Sequence, residues 1–266
     1  MLSNFHTHTT YCDGKNTPEE IVQYAIDNGF AAVGFSGHCR TDFDLSYCMK
    51  DPDGYLNHVR KLQADYRGRF PIFVGIEEDT KAWVNRNNFD YLIGACHYVQ
   101  IDGEMYPVDS GRVKADRGIA ALGGDRMKFA ELYFQTYCDY IKARKPDIVA
   151  HFDLITKYDE MDEPYFLGNP VYEEMADKYI SEALKTDCIF EINSGAIARG
   201  YRVSPYPHER LLHCIKKNDG KVIVSSDSHQ ADKLDFYFDE MCALLRDVGI
   251  CYVYELTQEG FRKVSI

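Results

Sequence analysis

No apolar run in this chain reaches the ~18 residues that a membrane-spanning helix needs, so no span is expected. The first residues also lack a basic stretch followed by an apolar one, because His6 and Asp13 interrupt them. No secretory signal is read there, and a cytoplasmic protein is expected. Positive charge is scarce: 30 Lys and Arg against 42 Asp and Glu leave a formal net charge of −12. That balance argues against a broad electrostatic grip on nucleic acid. It suits a solvated acidic surface and is compatible with a site that gathers divalent cations. The nine cysteines include no C-x-x-C pair and are odd in number, and several, such as Cys188 in "DCIFEI", sit in apolar runs. Buried reduced thiols explain them better than a disulfide framework or a zinc knuckle. Long polar linkers and internal repeats are absent too. With 45 % hydrophobic and 27 % charged residues over 266 positions, the composition is that of a globular domain. One domain over 1–266 is the simpler expectation, although the helical middle could project from it.

Short apolar runs recur, each ending in a polar tail: "LSNFHTH", "AAVGFSGH", "PIFVGIEE", "FDYLIGACH", "PDIVAHFD", "CIFEINSG" and "KVIVSSDSH". Their length and their β-branched and aromatic content predict strands. Amphipathic segments separate most of them. In "TPEEIVQYAIDNG", Thr17 is placed to cap, Pro18 fits the first turn, Glu20 completes a capping box and Gly29 ends the helix. "DRMKFAELYFQTYCDYIKARK" and "NPVYEEMADKYISEALK" have similar spacing. Strands alternating with helices predict an α/β fold with a parallel sheet, and seven such strands are enough to close a barrel. An eighth run, "CYVYEL", carries no metal-type residue and is expected to pair elsewhere. Residues 102–125 are rich in glycine and charge and read as a long loop or insertion.

"NFHTHTTYCDG" raises the functional question. In a strand, side chains at i and i+2 point the same way, so His6 and His8 share a face. Nearly every predicted strand ends likewise: His38, Glu77, His97, His151, Glu191, and Asp227 with His229. Six of the nine histidines fall at such ends, whereas His58, His208 and His213 lie in helical or loop stretches. In a parallel barrel the C-terminal strand ends meet on one face. Imidazole and carboxylate without thiolate suit zinc, manganese or iron. A single such residue after a strand is as often a helix cap or a surface group. The whole set exceeds what one tetrahedral ion can use, so two or three ions are expected, with Glu77 able to bridge two.

"HTHTTYCDG", "GFSGH", "GIEED", "GACH", "AHFDLI", "EINSG" and "SSDSH", in that order from residue 4 to residue 229, resemble the polymerase and histidinol phosphatase (PHP) superfamily, and within it the histidinol-phosphate phosphatase branch. The resemblance implies a distorted seven-stranded (β/α) barrel with its active site at the C-terminal strand ends. It also implies three divalent ions (Zn, Mn or Fe). Carried over by position, the first would take His6, His8, Glu77 and Asp227. The second would share Glu77 and add His97 and His151. The third would take Asp13, His38 and His229; in some members the position of Asp13 holds a histidine. Glu78 would point to the other side of its strand. The implied reaction is hydrolysis of a small phosphate monoester, most closely L-histidinol phosphate in histidine biosynthesis, by a metal-bridging hydroxide. Metal binding lowers the pKa of water from roughly 16 to about 7, and the rest of the catalysis is positioning and electrostatics.

Asp13 and His229 are the catalytic candidates, with Asp13 or a metal-held water left open as the acid for the leaving alkoxide. Arg199, just after "EINSG", matches a position where a basic residue commonly follows that strand in the family, and it is expected to hold the phosphate. Arg40 and Lys157 are further substrate-binding candidates; the bland reading of each is a solvated loop residue. "CRTDFDLSY" offers Asp42, Phe43, Asp44 and Tyr47 as an acidic aromatic rim for a cationic alcohol, or an ordinary solvated loop. Three rivals stay open. One is a related phosphoesterase acting on nucleotides or oligonucleotide ends. A second is an amidohydrolase-like barrel, against which "GACHYV" lacks the expected bridging lysine. The third is a metal-binding module without catalysis. Oligomeric state is left open.

Overall fold

The computed structural model describes residues 2–266. Each predicted apolar run contributes a strand: β1 (Ser3–Asn4), β2 (Ala32–Phe35), β3 (Ile72–Asp79), β4 (Tyr91–Ala95), then β7 (Ile148–Val149), β8 (Ile189–Asn193) and β9 (Lys221–Ser225). The hairpin β5 (Tyr98–Ile101) and β6 (Glu104–Pro107) lies between, and a second hairpin, β10 (Tyr252–Thr257) and β11 (Gly260–Ser265), follows. The sheet order is β1-β2-β3-β4-β7-β8-β9, all parallel. Every crossover therefore advances to the next position, as winding a barrel requires. Its two edges meet through a parallel bridge between Thr7 and Ser228, and Asn4 Nδ2 donates to Ser226 Oγ at 2.7 Å. The result is a nearly closed, distorted seven-stranded (β/α) barrel. Among the described residues no helix is long and apolar enough to cross a membrane.

Phe5, Phe73, Tyr91, Ile93, Ile148, Ile189 and Ile223 fill the barrel interior, and Leu256 of β10 packs with them. The run "CYVYEL" thus pairs outside the barrel sheet, with β11, as expected. Burying the Tyr91 hydroxyl unbonded would cost roughly 1–3 kcal/mol, but it donates to the Phe5 carbonyl at 2.5 Å. Its ring lies so close to β3 that a Cβ on Gly75 would stand 2.3 Å from the ring. Only glycine fits there.

The helices lie outside. In α1 (Pro18–Asp27) Thr17 and Glu20 form the capping box, and Gly29 follows with φ 72°. Next come α2 (Pro52–Asp65), α3 (Arg112–Ala121), α4 (Arg126–Arg144), α5 (Pro170–Ala183), the short α6 (Gly195–Ala198), α7 (Glu209–Lys217) and α8 (Phe238–Val248). One apolar layer joins β2 and β3 to α1 and α2, and a larger one gathers α4, α5, α7 and α8. No disulfide joins the cysteines; five of the nine are buried, and Cys251 is exposed.

Residues 102–125 are not a loop. Asp102 and Gly103, with φ of 51° and 88°, turn the β5–β6 hairpin, and α3 follows. Positive φ at both central residues is what a two-residue hairpin turn demands, so the Asp-Gly pair carried the signal. Ile101, Val108 and Ile119 pack this unit against Phe129 of α4. It is an ordered wall beside the strand ends.

Candidate metal centre and active site

The strand ends converge. His6 and His8 continue β1, His38 follows β2, Glu77 lies within β3, His97 follows β4, His151 follows β7, and Asp227 and His229 follow β9. Glu77 is central. Its Oε2 stands 3.5 Å from His6 Nε2, 3.7 Å from His8 Nε2 and 2.6 Å from His38 Nδ1. Its Oε1 stands 3.1 Å from His151 Nε2 and 3.5 Å from His97 Nε2. Asp227 Oδ1 adds a contact of 3.0 Å to His8 Nε2, and Asp13 Oδ2 lies 3.3 Å from His229 Nε2. Three groups have ligand atoms mutually within 4.8 Å: His6, His8 and Glu77; His38, Glu77 and His97; and His8, Asp13, His38 and His229. All nine expected ligands are thus brought together. The grouping differs in detail, because His38 turns its Nδ1 to Glu77 while its Nε2 stays 3.8 Å from Asp13.

Do these residues fit divalent ions? Buried polar atoms normally find hydrogen-bond partners, yet His6 Nε2, His8 Nε2 and Glu77 Oε2 are buried and have none. The donors are nitrogen and oxygen only. Cys12 Sγ lies 3.5 Å from His8 Nδ1, but burial with Asp13 nearby pushes its thiol up to about 12, so it is no thiolate. Orphaned atoms aimed at a shared point, in such a donor set, fit zinc, manganese or iron.

Two carboxylates behind the histidines fix their rings. Glu191 Oε1 accepts from His6 Nδ1 at 2.5 Å, and its Oε2 accepts from the His151 backbone N–H at 3.0 Å. Asp79 Oδ2 accepts from the His97 backbone N–H at 3.1 Å and lies 3.3 Å from its Nδ1. Such outer carboxylates set tautomer and orientation. Asp79 was legible, since it shares the face of Glu77 at i+2. Backbone strain collects here too: His151 and Asp227 have φ of 22° and 48°, uncommon for non-glycine residues. At Gly195 a Cβ would stand 2.7 Å from Asp227 Oδ2.

Charge follows position. Burial and the neighbouring His229 and His38 push His8 down to about 3, which leaves it a neutral donor. Burial opposes charge on His97 as well, but Glu77, Asp79 and Asp109 outweigh it and raise it to about 9. Burial is likewise overcome at His6, held well above the usual value by Glu191, Asp227 and Glu77. Entering cations would displace such protons, so metal uptake and proton release are linked.

A cavity of about 380 Å³ opens over the cluster, lined among others by Asp44, Tyr47, Tyr98, Asp109, Lys157, Tyr158, Arg199 and Tyr201. Arg199 donates to Asp227 Oδ2 at 2.9 Å and its Nη1 lies 3.0 Å from His229 Nδ1. Lys157 Nζ lies 3.0 Å from Asp109 Oδ2. Arg40 does not line this cavity: it binds Asp42 at 2.8 Å and the Lys50 carbonyl at 3.2 Å. Asp109, Tyr158 and Tyr201 had no sequence signal, because a loop has no period to aim its side chains, and Tyr98 opens the β5 hairpin, which was not foreseen as a strand. A depression of about 720 Å³ beside Arg67, Arg69 and Leu256 is larger, but it lies among the hairpin residues and none of the ligand groups lines it.

The PHP domain family matches residues 4–195, and the chain belongs to it. Among curated proteins, it is 25 % identical over 273 residues to the Schizosaccharomyces pombe protein named "Probable histidinol-phosphatase", covering 94 % of this chain and 88 % of that one. It is 20 % identical over 258 residues to the histidinol-phosphatase of Bacillus subtilis, covering 88 % and 96 %. The fold matches the crystal structure of histidinol phosphate phosphatase from Lactococcus lactis, complexed with zinc, L-histidinol and phosphate. The TM-score is 0.71 and the identity 16 %, over 98 % of each chain.

Proposed function

We propose that this chain is a phosphoric monoester hydrolase that converts L-histidinol phosphate and water to L-histidinol and phosphate, with three divalent ions at the strand ends. The carrying observation is the cluster of orphaned buried nitrogen and oxygen atoms around Glu77 at the floor of a small cavity. His6, His8, Glu77 and Asp227 would hold one ion, Glu77, His97 and His151 a second, and Asp13, His38 and His229 a third. When bound, these ions supply an ionised water and neutralise charge on the phosphoryl oxygens. The protein's own share is positional. Glu191 and Asp79 fix His6 and His97. Arg199, anchored on Asp227, and Lys157, anchored on Asp109, present the cations that would hold the phosphate by charge-assisted hydrogen bonds. Burial opposes charge on Asp13, partly exposed beside His229, yet His38 and His229 hold it well below the usual carboxylate pKa, so it would serve as an ionised ligand and leave the proton for the leaving oxygen to a water. The histidinol-phosphatase relatives support the leaving group, and a cavity of about 380 Å³ suits a small monoester.

The test is kcat/KM of metal-replete protein on L-histidinol phosphate, glycerol phosphate and a nucleoside monophosphate. A clear preference for the first is expected. Equal values, or a preference for the nucleotide, overturn the substrate. Arg199→Ala should slow every ester with metal content unchanged.

A further inference from the structure

Four carboxylates line the cavity: Asp13, Asp44, Asp109 and Asp227. Three face cations or imidazoles. Asp13 lies 3.3 Å from His229, Asp109 3.0 Å from Lys157 and Asp227 2.9 Å from Arg199. Asp44 is different. Its Oδ1 accepts from the Ser46 backbone N–H at 2.9 Å and its Oδ2 from the Tyr98 hydroxyl at 2.6 Å. Both donors are neutral, and each oxygen keeps a free lone pair. Burial disfavours its charge, but these hydrogen bonds, helped by the charge of Lys114, outweigh that and keep the carboxyl below its usual pKa.

The segment that carries Asp44 is held in shape. Thr41 Oγ1 donates to the Asp44 carbonyl at 2.7 Å, Cys48 Sγ points at the same oxygen from 3.3 Å, and the Met49 N–H donates to the His38 carbonyl at 3.1 Å. Aromatic rings continue the surface toward the metal cluster: Tyr47 has its centroid 6.2 Å from Tyr98 and 4.8 Å from His38. An ionised carboxylate fixed in place, with Lys114 acting on it only from beyond ion-pair distance and with aromatic faces on its flank, is a site for an ammonium group. Asp42, two residues earlier, is excluded, since it is exposed and bound to Arg40.

We propose that Asp44 is the specificity-determining residue of this site: it receives the ammonium group of the leaving alcohol, beside Tyr47 and Tyr98. The proposal rests on the L-histidinol phosphate reading. A neutral alcohol in the same place would desolvate Asp44 without pairing it, which is how a polar site rejects an analogue. Tyr98, bound to the same carboxylate, is a positioning residue.

The experiment is a cycle on the metal-loaded protein: wild type, Asp44→Asn and Asp44→Glu against L-histidinol phosphate, N-acetyl-L-histidinol phosphate and glycerol phosphate. Asparagine keeps the shape, its oxygen can still accept from the Ser46 N–H and its amide can donate to the Tyr98 oxygen, so folding is spared. Asp44→Asn should lower kcat/KM for L-histidinol phosphate by roughly tenfold to a hundredfold, mostly through KM. Glycerol phosphate should be hydrolysed modestly faster by Asp44→Asn than by the wild type, because an amide costs less to desolvate than a carboxylate, and Asp44→Glu should recover part of the loss on L-histidinol phosphate. N-acetylation should cost the wild type as much as the substitution does, and the two losses should not add. If Asp44→Asn keeps the wild-type preference, or slows all three esters equally, Asp44 has no such role although the substrate stands. If N-acetylation costs nothing, the ammonium assignment is wrong. A wild type without preference for L-histidinol phosphate removes the substrate reading and the proposal with it.

Discussion

Glu77 and Glu78 follow one another on β3 and are withdrawn from solvent alike, at 2 % and 0 % exposure. The pleat sends them to opposite sides. Glu78 faces α4, where Arg144 Nε and Nη2 reach its two oxygens at 2.7 and 2.9 Å, Tyr140 donates at 2.7 Å and the Val84 N–H at 2.6 Å. Every lone pair that matters is used. Glu77 faces the strand ends among five imidazoles, and its Oε2 touches His38 Nδ1 at 2.6 Å without making a well-aligned hydrogen bond. One carboxylate is saturated by the fold; the other is held ready for something the fold does not supply. Burial alone therefore does not separate a structural acid from a functional one. Satisfaction does.

The contrast can be broken from either side. Glu78→Gln strands Arg144 at the back of the sheet, and losing one partner of a buried pair costs about 3–5 kcal/mol. A denaturant titration should show that loss, while metal per chain in the folded fraction stays at the wild-type level. Glu77→Gln should do the reverse. Elemental analysis should show more than one ion equivalent lost, kcat/KM should fall at least about a hundredfold, and melting should stay nearer the wild type than for Glu78→Gln. Full metal content in that variant would remove the bridging role.

Asp109 sharpens the comparison, being paired like Glu78 yet set on the same side as Glu77, in the wall of the cavity. Burial raises its pKa, but Lys157 and His97 outweigh that and bring it down to about 2. A depressed acid stabilises the fold above its unfolded pKa, near 4, and that share fades as pH falls from about 4 to about 2. It amounts to something on the order of 2 kcal/mol. Asp109→Asn should flatten stability against pH over that window, as followed by melting in acid. The smallest effect is expected at Glu191→Gln. His6 loses its orienting charge, so metal affinity should drop roughly tenfold by competition with a chelator, with little change in kcat/KM at saturating metal.

How much of this was legible beforehand depended on periodicity. Strand ends are marked by where an apolar run stops, so His6, His38, Glu77, His97 and Asp227 stood out in order, and the family motif chose Glu77 over Glu78, which strand alternation sends to the other face. The capping box of α1 was equally readable from Thr17, Pro18 and Glu20. The rule fails once the chain leaves a strand. Arg40 and Lys157 both follow a strand-end histidine closely, yet only Lys157 turns into the cavity. Asp109 and Tyr98 come from the hairpin wall, and no local pattern ties residue 98 to residue 44. The Asp102-Gly103 turn was visible as a dipeptide but was hidden by its polar, glycine-rich surroundings.

The barrel closes only where Thr7 meets Ser228, and Asn4 reaches Ser226 across 222 positions. That seam has a consequence for how the protein comes into being. As the chain leaves the ribosome, His6, His8, Asp13 and His38 emerge long before Asp227 and His229, which complete their ion sites in the proposed ligand set. A nascent polypeptide thus carries seven of the nine ligands but can complete only the proposed Glu77, His97 and His151 site. The other two sites wait until the final barrel strand docks beside the first. Holding the full complement of metal is then a certificate that the last barrel strand has docked, and a chain cut short before residue 227 is marked by keeping only part of it.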